Sequence, residues 1–160
     1  MAPLPRLVLD TNVCLDLFVF GDAACAVLRD ALATRALEAI ADAACRDEWL
    51  GVLGYPQLAL DVARRAAAAV AFDAQLRLLP EVERRSLPVA PKLPRCADPD
   101  DQKFLELTWA CGAQWLLSRD NALLKLARRT RRDHGFDIVT PQDWQRVYAG
   151  PAGASSAKPV

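Results

Sequence analysis

An α/β fold with a mainly parallel central sheet is what this sequence predicts, and three observations predict it. Short apolar runs end abruptly at polar residues, as Leu7-Val8-Leu9 does at Asp10 and Trp115-Leu116-Leu117 does at Ser118. Runs of this length suit strands buried on both faces. Longer segments with helix-type patterning separate them, as in a chain of βαβ units. The composition completes the case: 160 residues, 52% apolar and 25% charged, is the balance of one ordinary globular domain and excludes disorder for the bulk of the chain.

In chain order, Leu7 to Leu9 is the first strand. Asp22 caps a helix through about Thr34, with Ala26, Leu28, Ala31 and Leu32 on its apolar face. Ala36 to Ile40 is a second strand, and Asp42 caps a helix carrying Cys45, Trp49, Val52 and Leu53 until Pro56 breaks it. The alanine-rich stretch Leu58 to Leu79 reads as helix throughout. Pro88, Pro91 and Pro94 mark an extended connector. Asp98-Pro99-Asp100-Asp101 starts a helix that Gly112 ends. Trp115 to Leu117 is a strand, about Asn121 to Arg129 a helix, and Phe136 to Val139 an edge strand. Thr140 caps a last helix with Pro141 at its first position. One domain over residues 1–149 is expected, with a disordered Gly-, Pro- and Ser-rich tail over 150–160.

Lys+Arg and Asp+Glu both total 20, so no overall basic charge points to nucleic acid. The halves differ: residues 1–60 carry 4 basic and 8 acidic side chains, and residues 101–160 carry 9 and 6. Five widely spaced cysteines and a single His134 argue against a zinc finger and suit reduced thiols. No apolar run is long enough to span a bilayer, so a soluble cytoplasmic protein is expected.

Ligands of open α/β sheets bind beyond the carboxyl ends of the strands. Asp10 and Asp120 follow strands, and Asp98, Asp100 and Asp101 stand at a helix mouth, so three segments aim carboxylates at one sheet edge. Glu48, on the helix after the second strand, adds a fourth position. Each acid alone has an ordinary explanation as a cap or turn former. Together they repel one another unless a cation or proton neutralises them, and no lysine or histidine partner is evident. Oxygen-only donors favour Mg²⁺ or Mn²⁺.

Leu9-Asp10-Thr11-Asn12 resembles the opening of PIN-domain ribonucleases. Glu48-Trp49-Leu50-Gly51-Val52-Leu53 resembles the acidic helix of that family. Asp98 to Leu107 is similar to its branch of toxins from toxin–antitoxin pairs, and Gly112 to Leu124 and Ile138 to Trp144 resemble its next strand and its ending. The resemblance covers roughly residues 7–147. It implies an α/β/α sandwich and Mg²⁺- or Mn²⁺-dependent hydrolysis of single-stranded RNA. It also implies an acidic set of Asp10, Glu48, Asp101 and Asp120, with Asp10, Asp101 and Asp120 on metal. Asn12, Ser118 and Asp98 would support them, Asp98 and Asp100 being alternatives to Asp101 and Asp47 to Glu48. A cognate antitoxin is the implied partner; a homodimer through the Leu58–Leu79 region is a separate expectation.

Arg128, Arg129, Arg131 and Arg132 form the densest basic cluster and are the candidate RNA contacts, since arginine holds phosphate bidentately. Arg119 is placed to pair with its neighbour Asp120. An aspartyl-phosphate phosphatase is disfavoured because Asn12 stands where that chemistry needs a second acid. A dinucleotide site is disfavoured because no G-x-G-x-x-G follows Leu9. The remaining alternative is a non-catalytic RNA- or protein-binding module on the same scaffold.

Overall fold

The computed structural model describes residues 3–156, with side chains described for residues 3–148. Five strands form one sheet: β1 (Arg6–Leu9), β2 (Glu38–Ala41), β3 (Leu76–Leu78), β4 (Trp115–Leu117) and β5 (Asp137–Val139). All pairings are parallel and the spatial order is β3-β2-β1-β4-β5. The chain builds outward from β1 to β2 and β3, then crosses back to lay β4 and β5 on the other side. Strand order therefore reverses between β1 and β4, which makes their carboxyl ends the switch-point crevice of the sheet.

Side chains alternate across the sheet with the strand period of two. Leu7, Leu9, Ala39, Ala41 and Leu117 join one apolar layer, and Val8, Ile40, Leu116 and Ile138 join the other. The first layer is closed by α2 (Ala26–Ala33), α3 (Ala43–Val52), α4 (Val62–Gln75) and α8 (Pro141–Ser156) through Leu28, Trp49, Phe72 and Trp144. The second is closed chiefly by α5 (Gln102–Ala110) through Phe104, Leu105 and Leu107. This is the expected α/β/α sandwich. The helix α1 (Thr11–Leu15) begins directly after Asp10 and continues as a wider turn over Asp16–Phe20, which Gly21 ends at φ 60°. Among the described residues no single helix is long and apolar enough to cross a membrane.

Three elements depart from the sequence expectation. The alanine-rich helix stops at Gln75, and Leu76 turns to extended backbone (φ −108°, ψ 140°) to start β3. Pairing of Leu76 with Ala39 and Leu78 with Ala41 outweighs the local helix propensity. The helix expected from Asn121 to Arg129 is two helices, α6 (Asn121–Leu124) and α7 (Ala127–His134), parted at Lys125 and Leu126. Buried Thr130 donates to the Phe136 carbonyl at 2.9 Å and ties α7 to the approach of β5. Helical backbone continues through Ser156, into the segment expected as a tail; residues 157–160 of that tail lie outside the described residues. Trp49 and Trp144 are buried as expected. Trp109 and Trp115 are only half-buried, Arg85 lying 4.0 Å over the Trp109 ring. All five cysteines are buried and form no disulfide.

Candidate metal centre

Asp10 leaves β1 and immediately caps α1, its Oδ1 accepting from the Thr11 amide at 2.6 Å. Asp120 leaves the end of β4 and caps α6, its Oδ1 accepting from the Ala122 amide at 2.9 Å. Asp98 caps the short turn Pro99–Asp101, its Oδ1 accepting from the Asp100 amide at 3.0 Å. The capping explanation is therefore correct for all three, and it uses one oxygen of each. Asp101 starts α5 with no capping bond.

Ser118 links the first two acids. Its buried hydroxyl donates to Asp10 Oδ2 at 2.6 Å and accepts from the Asp120 amide at 2.9 Å. Asn12 Nδ2 donates to the same Asp10 oxygen at 3.3 Å, and Asn12 Oδ1 accepts from the Arg119 amide at 3.3 Å. One serine and one asparagine thus fix the ends of the adjacent strands β1 and β4 to each other.

Ligand oxygens of Asp98, Asp101 and Asp120 lie within 4.8 Å of one another. Bonds of about 2.1 Å to Mg²⁺ set opposite oxygens about 4.2 Å apart, so three such oxygens fit around one ion with small side-chain shifts. Burial first, then the hydrogen bond shared with Asp120 and the charges of Asp10, Asp120 and Asp98, push the Asp101 carboxyl up to about 8. Asp120, accepting that hydrogen bond, is lowered. Burial raises Asp10 against the opposing effect of Ser118 and the Thr11 amide. The proton that Asp101 keeps is the charge a divalent ion would replace, so the donor set fits a hard cation.

Asp10, Glu48, Asp98, Asp100, Asp101 and Asp120 line one open cleft of about 410 Å³. Leu15, Val52, Tyr55 and Leu58 add an apolar part to its lining, together with Thr11, Asn12 and Gln57. Tyr55 is 53% exposed, a bare aromatic face beside the acids.

Glu48 stands apart from the three-aspartate group. The Thr11 hydroxyl donates to its Oε2, and Lys103 Nζ donates to its Oε1 at 2.5 Å. Lys103 also donates to the Asp100 carbonyl. The expectation that the site lacks a lysine partner is thus corrected. So is the pairing of Arg119 with Asp120: Arg119 Nε instead holds buried Asp16 at 2.7 Å. Asp47 is exposed and is not among the residues lining the cleft. The cluster Arg128, Arg129, Arg131 and Arg132 is exposed on α7 and does not line the cleft; Arg131 pairs with Asp137 and Arg132 with Asp133. Lys103, Tyr55 and Asp16 went unread in the sequence. The one available signal was that Lys103 stands two positions after Asp101, in the first turn of α5.

No curated protein matches the sequence. A family model described as PIN domain matches residues 6–122. That match runs from β1 into the first turn of α6 and takes in every carboxylate of the cleft, so the chain belongs to the PIN domain family, whose members are generally nucleases.

Proposed function

We propose that the protein is a Mg²⁺- or Mn²⁺-dependent endoribonuclease that cleaves single-stranded RNA, acting as the toxin of a toxin–antitoxin pair. The observation that carries the nuclease reading is the convergence of Asp98, Asp101 and Asp120 oxygens within 4.8 Å, with no basic side chain bonded to them among the described residues. Asp101 and Asp120 would hold the ion with Asp10, whose charge acts directly on Asp101, and Asp98 would close the set at the mouth. When bound, the ion supplies neutralisation of the charge developing on phosphate and acidifies water. In hydrolysis the water oxygen bonds to phosphorus and the P–O ester bond breaks. The water gives one proton to a carboxylate, and that carboxyl group returns a proton to the departing oxygen, leaving a phosphate monoester and a free hydroxyl. Ser118 and Asn12 hold Asp10 in its orientation toward the cleft.

The choice of single strands is supported by Tyr55. An unpaired base can stack on an exposed ring beside the phosphate site, which a base held in a duplex cannot. Arg128, Arg129, Arg131 and Arg132, exposed on α7 outside the cleft, are the proposed phosphate contacts. The toxin role, and with it a cognate antitoxin and a cytoplasmic location, rests on the likeness of Asp98 to Leu107 to the toxin branch.

The test is cleavage of mixed single-stranded RNAs by wild type and Asp10→Asn with Mg²⁺, Mn²⁺ or EDTA. Metal-dependent cleavage by wild type, abolished by EDTA and in Asp10→Asn at unchanged melting temperature, is the expected result. No cleavage and no ion binding by calorimetry would overturn the nuclease reading and leave a non-catalytic binding module.

A further inference from the structure

The acids of the cleft fall into two sets by what surrounds them. Asp98, Asp101 and Asp120 bring ligand oxygens within 4.8 Å of one another with no described basic side chain bonded to them. Glu48 has both oxygens occupied, one by the Thr11 hydroxyl and one by the Lys103 ammonium at 2.5 Å. The ammonium is itself anchored: it donates to the Asp100 carbonyl, in the turn that carries Asp98 and Asp101 to the cleft. Lys103 and Glu48 are each less than a third exposed, so the pair is weakly screened by solvent.

A carboxylate neutralised in this way has little to gain from a metal ion, because a second cation beside the ammonium would be repelled at close range. We infer that Lys103 is a positioning residue that takes, as a tethered cation, the place of a second divalent ion beside Glu48, so that the cleft loads a single ion among the aspartates before substrate arrives. The inference rests on the metal-dependent reading above and deepens it. It assigns Glu48 a fixed orientation at the cleft wall rather than ligation of a resident ion.

The experiment is Mn²⁺ titration of the full chain, followed by calorimetry and by the electron paramagnetic resonance of free Mn²⁺, for wild type, Lys103→Met, Lys103→Arg and Lys103→Met/Glu48→Gln. The expected stoichiometries are one, two, one and one. A melting curve establishes that each variant is folded, and Lys103→Arg keeps the test valid should Lys103→Met fail to fold. Two ions in wild type, or in Lys103→Arg, would overturn the inference, as would one ion in folded Lys103→Met. No ion in wild type would instead remove the metal-dependent reading on which it rests.

Discussion

Around the starts of β1 and β2, Arg6 donates to Glu38 at 3.0 Å and to Glu83 at 2.7 Å, and Arg77 grips Glu83 from the other side at 2.7 Å. At the opposite end of the same sheet, Asp10, Asp98, Asp101 and Asp120 face a common cleft, and no described basic side chain bonds to any of them. The chemistry of one residue class is driven in opposite directions at these two ends. The arginines lower Glu83 to about 2, while burial and neighbouring carboxylates push Asp101 up to about 8. The matched end pairs its own charges; at the unmatched end a proton or a cation would relieve the repulsion among the carboxylates. Perturbed carboxylates gathered at a strand-end crevice are the pattern of a candidate functional site.

The sharpest way to break this comparison is to loosen the joint of the unmatched end. Ser118→Ala removes the hydroxyl that bonds Asp10 and receives the Asp120 amide. Groups that orient metal ligands cost about 10–100-fold in affinity or activity when removed. A loss of that size in Mn²⁺ affinity is expected by calorimetry, with rescue by Ser118→Thr. Next in size is Tyr55→Ala, which tests whether the apolar part of the lining serves substrate. Stacking of one base is worth about 1–3 kcal/mol. Single-stranded RNA binding to metal-free protein should weaken about tenfold or more by fluorescence anisotropy, with Mn²⁺ affinity unchanged. The smallest effect belongs to the matched end. Arg6→Ala should lower stability only slightly in urea denaturation, because its ion pairs are partly exposed and screened by solvent, and leave RNA cleavage unaltered.

The sheet edge was readable because its signals are local. Leu7-Val8-Leu9 ends at Asp10 and Trp115-Leu116-Leu117 at Ser118, and a general rule about strand ends makes those positions converge. β3 was not readable because three residues, Leu-Arg-Leu, follow an alanine-rich helix with no glycine or proline between. Only pairing with β2 decides their conformation. The capping signals of Asp10, Asp98 and Asp120 were equally local, which is why function and capping could not be separated in the sequence. Lys103 bonds Glu48 across 55 positions and Arg119 bonds Asp16 across 103, so neither partner can be read from its neighbours. The break between α6 and α7 at Lys125 and Leu126 has no glycine or proline to mark it.

The central claim is that Asp101 is an acid whose ionisation the fold opposes until a cation arrives. Its raised folded value means that its contribution to stability is full below its unfolded value of about 3.9 and is lost as pH rises through about 8. Glu83 behaves in the opposite sense, contributing above its unfolded value of about 4.3 and losing that contribution as pH falls toward about 2. The most direct measurement is the melting temperature of wild type and Asp101→Asn in EDTA across about pH 5 to about pH 9, repeated with Mn²⁺. The account predicts that metal-free wild type loses stability relative to Asp101→Asn as pH rises, and that Mn²⁺ restores wild type at high pH without raising the variant. Parallel curves in EDTA and no Mn²⁺ shift in wild type would contradict it.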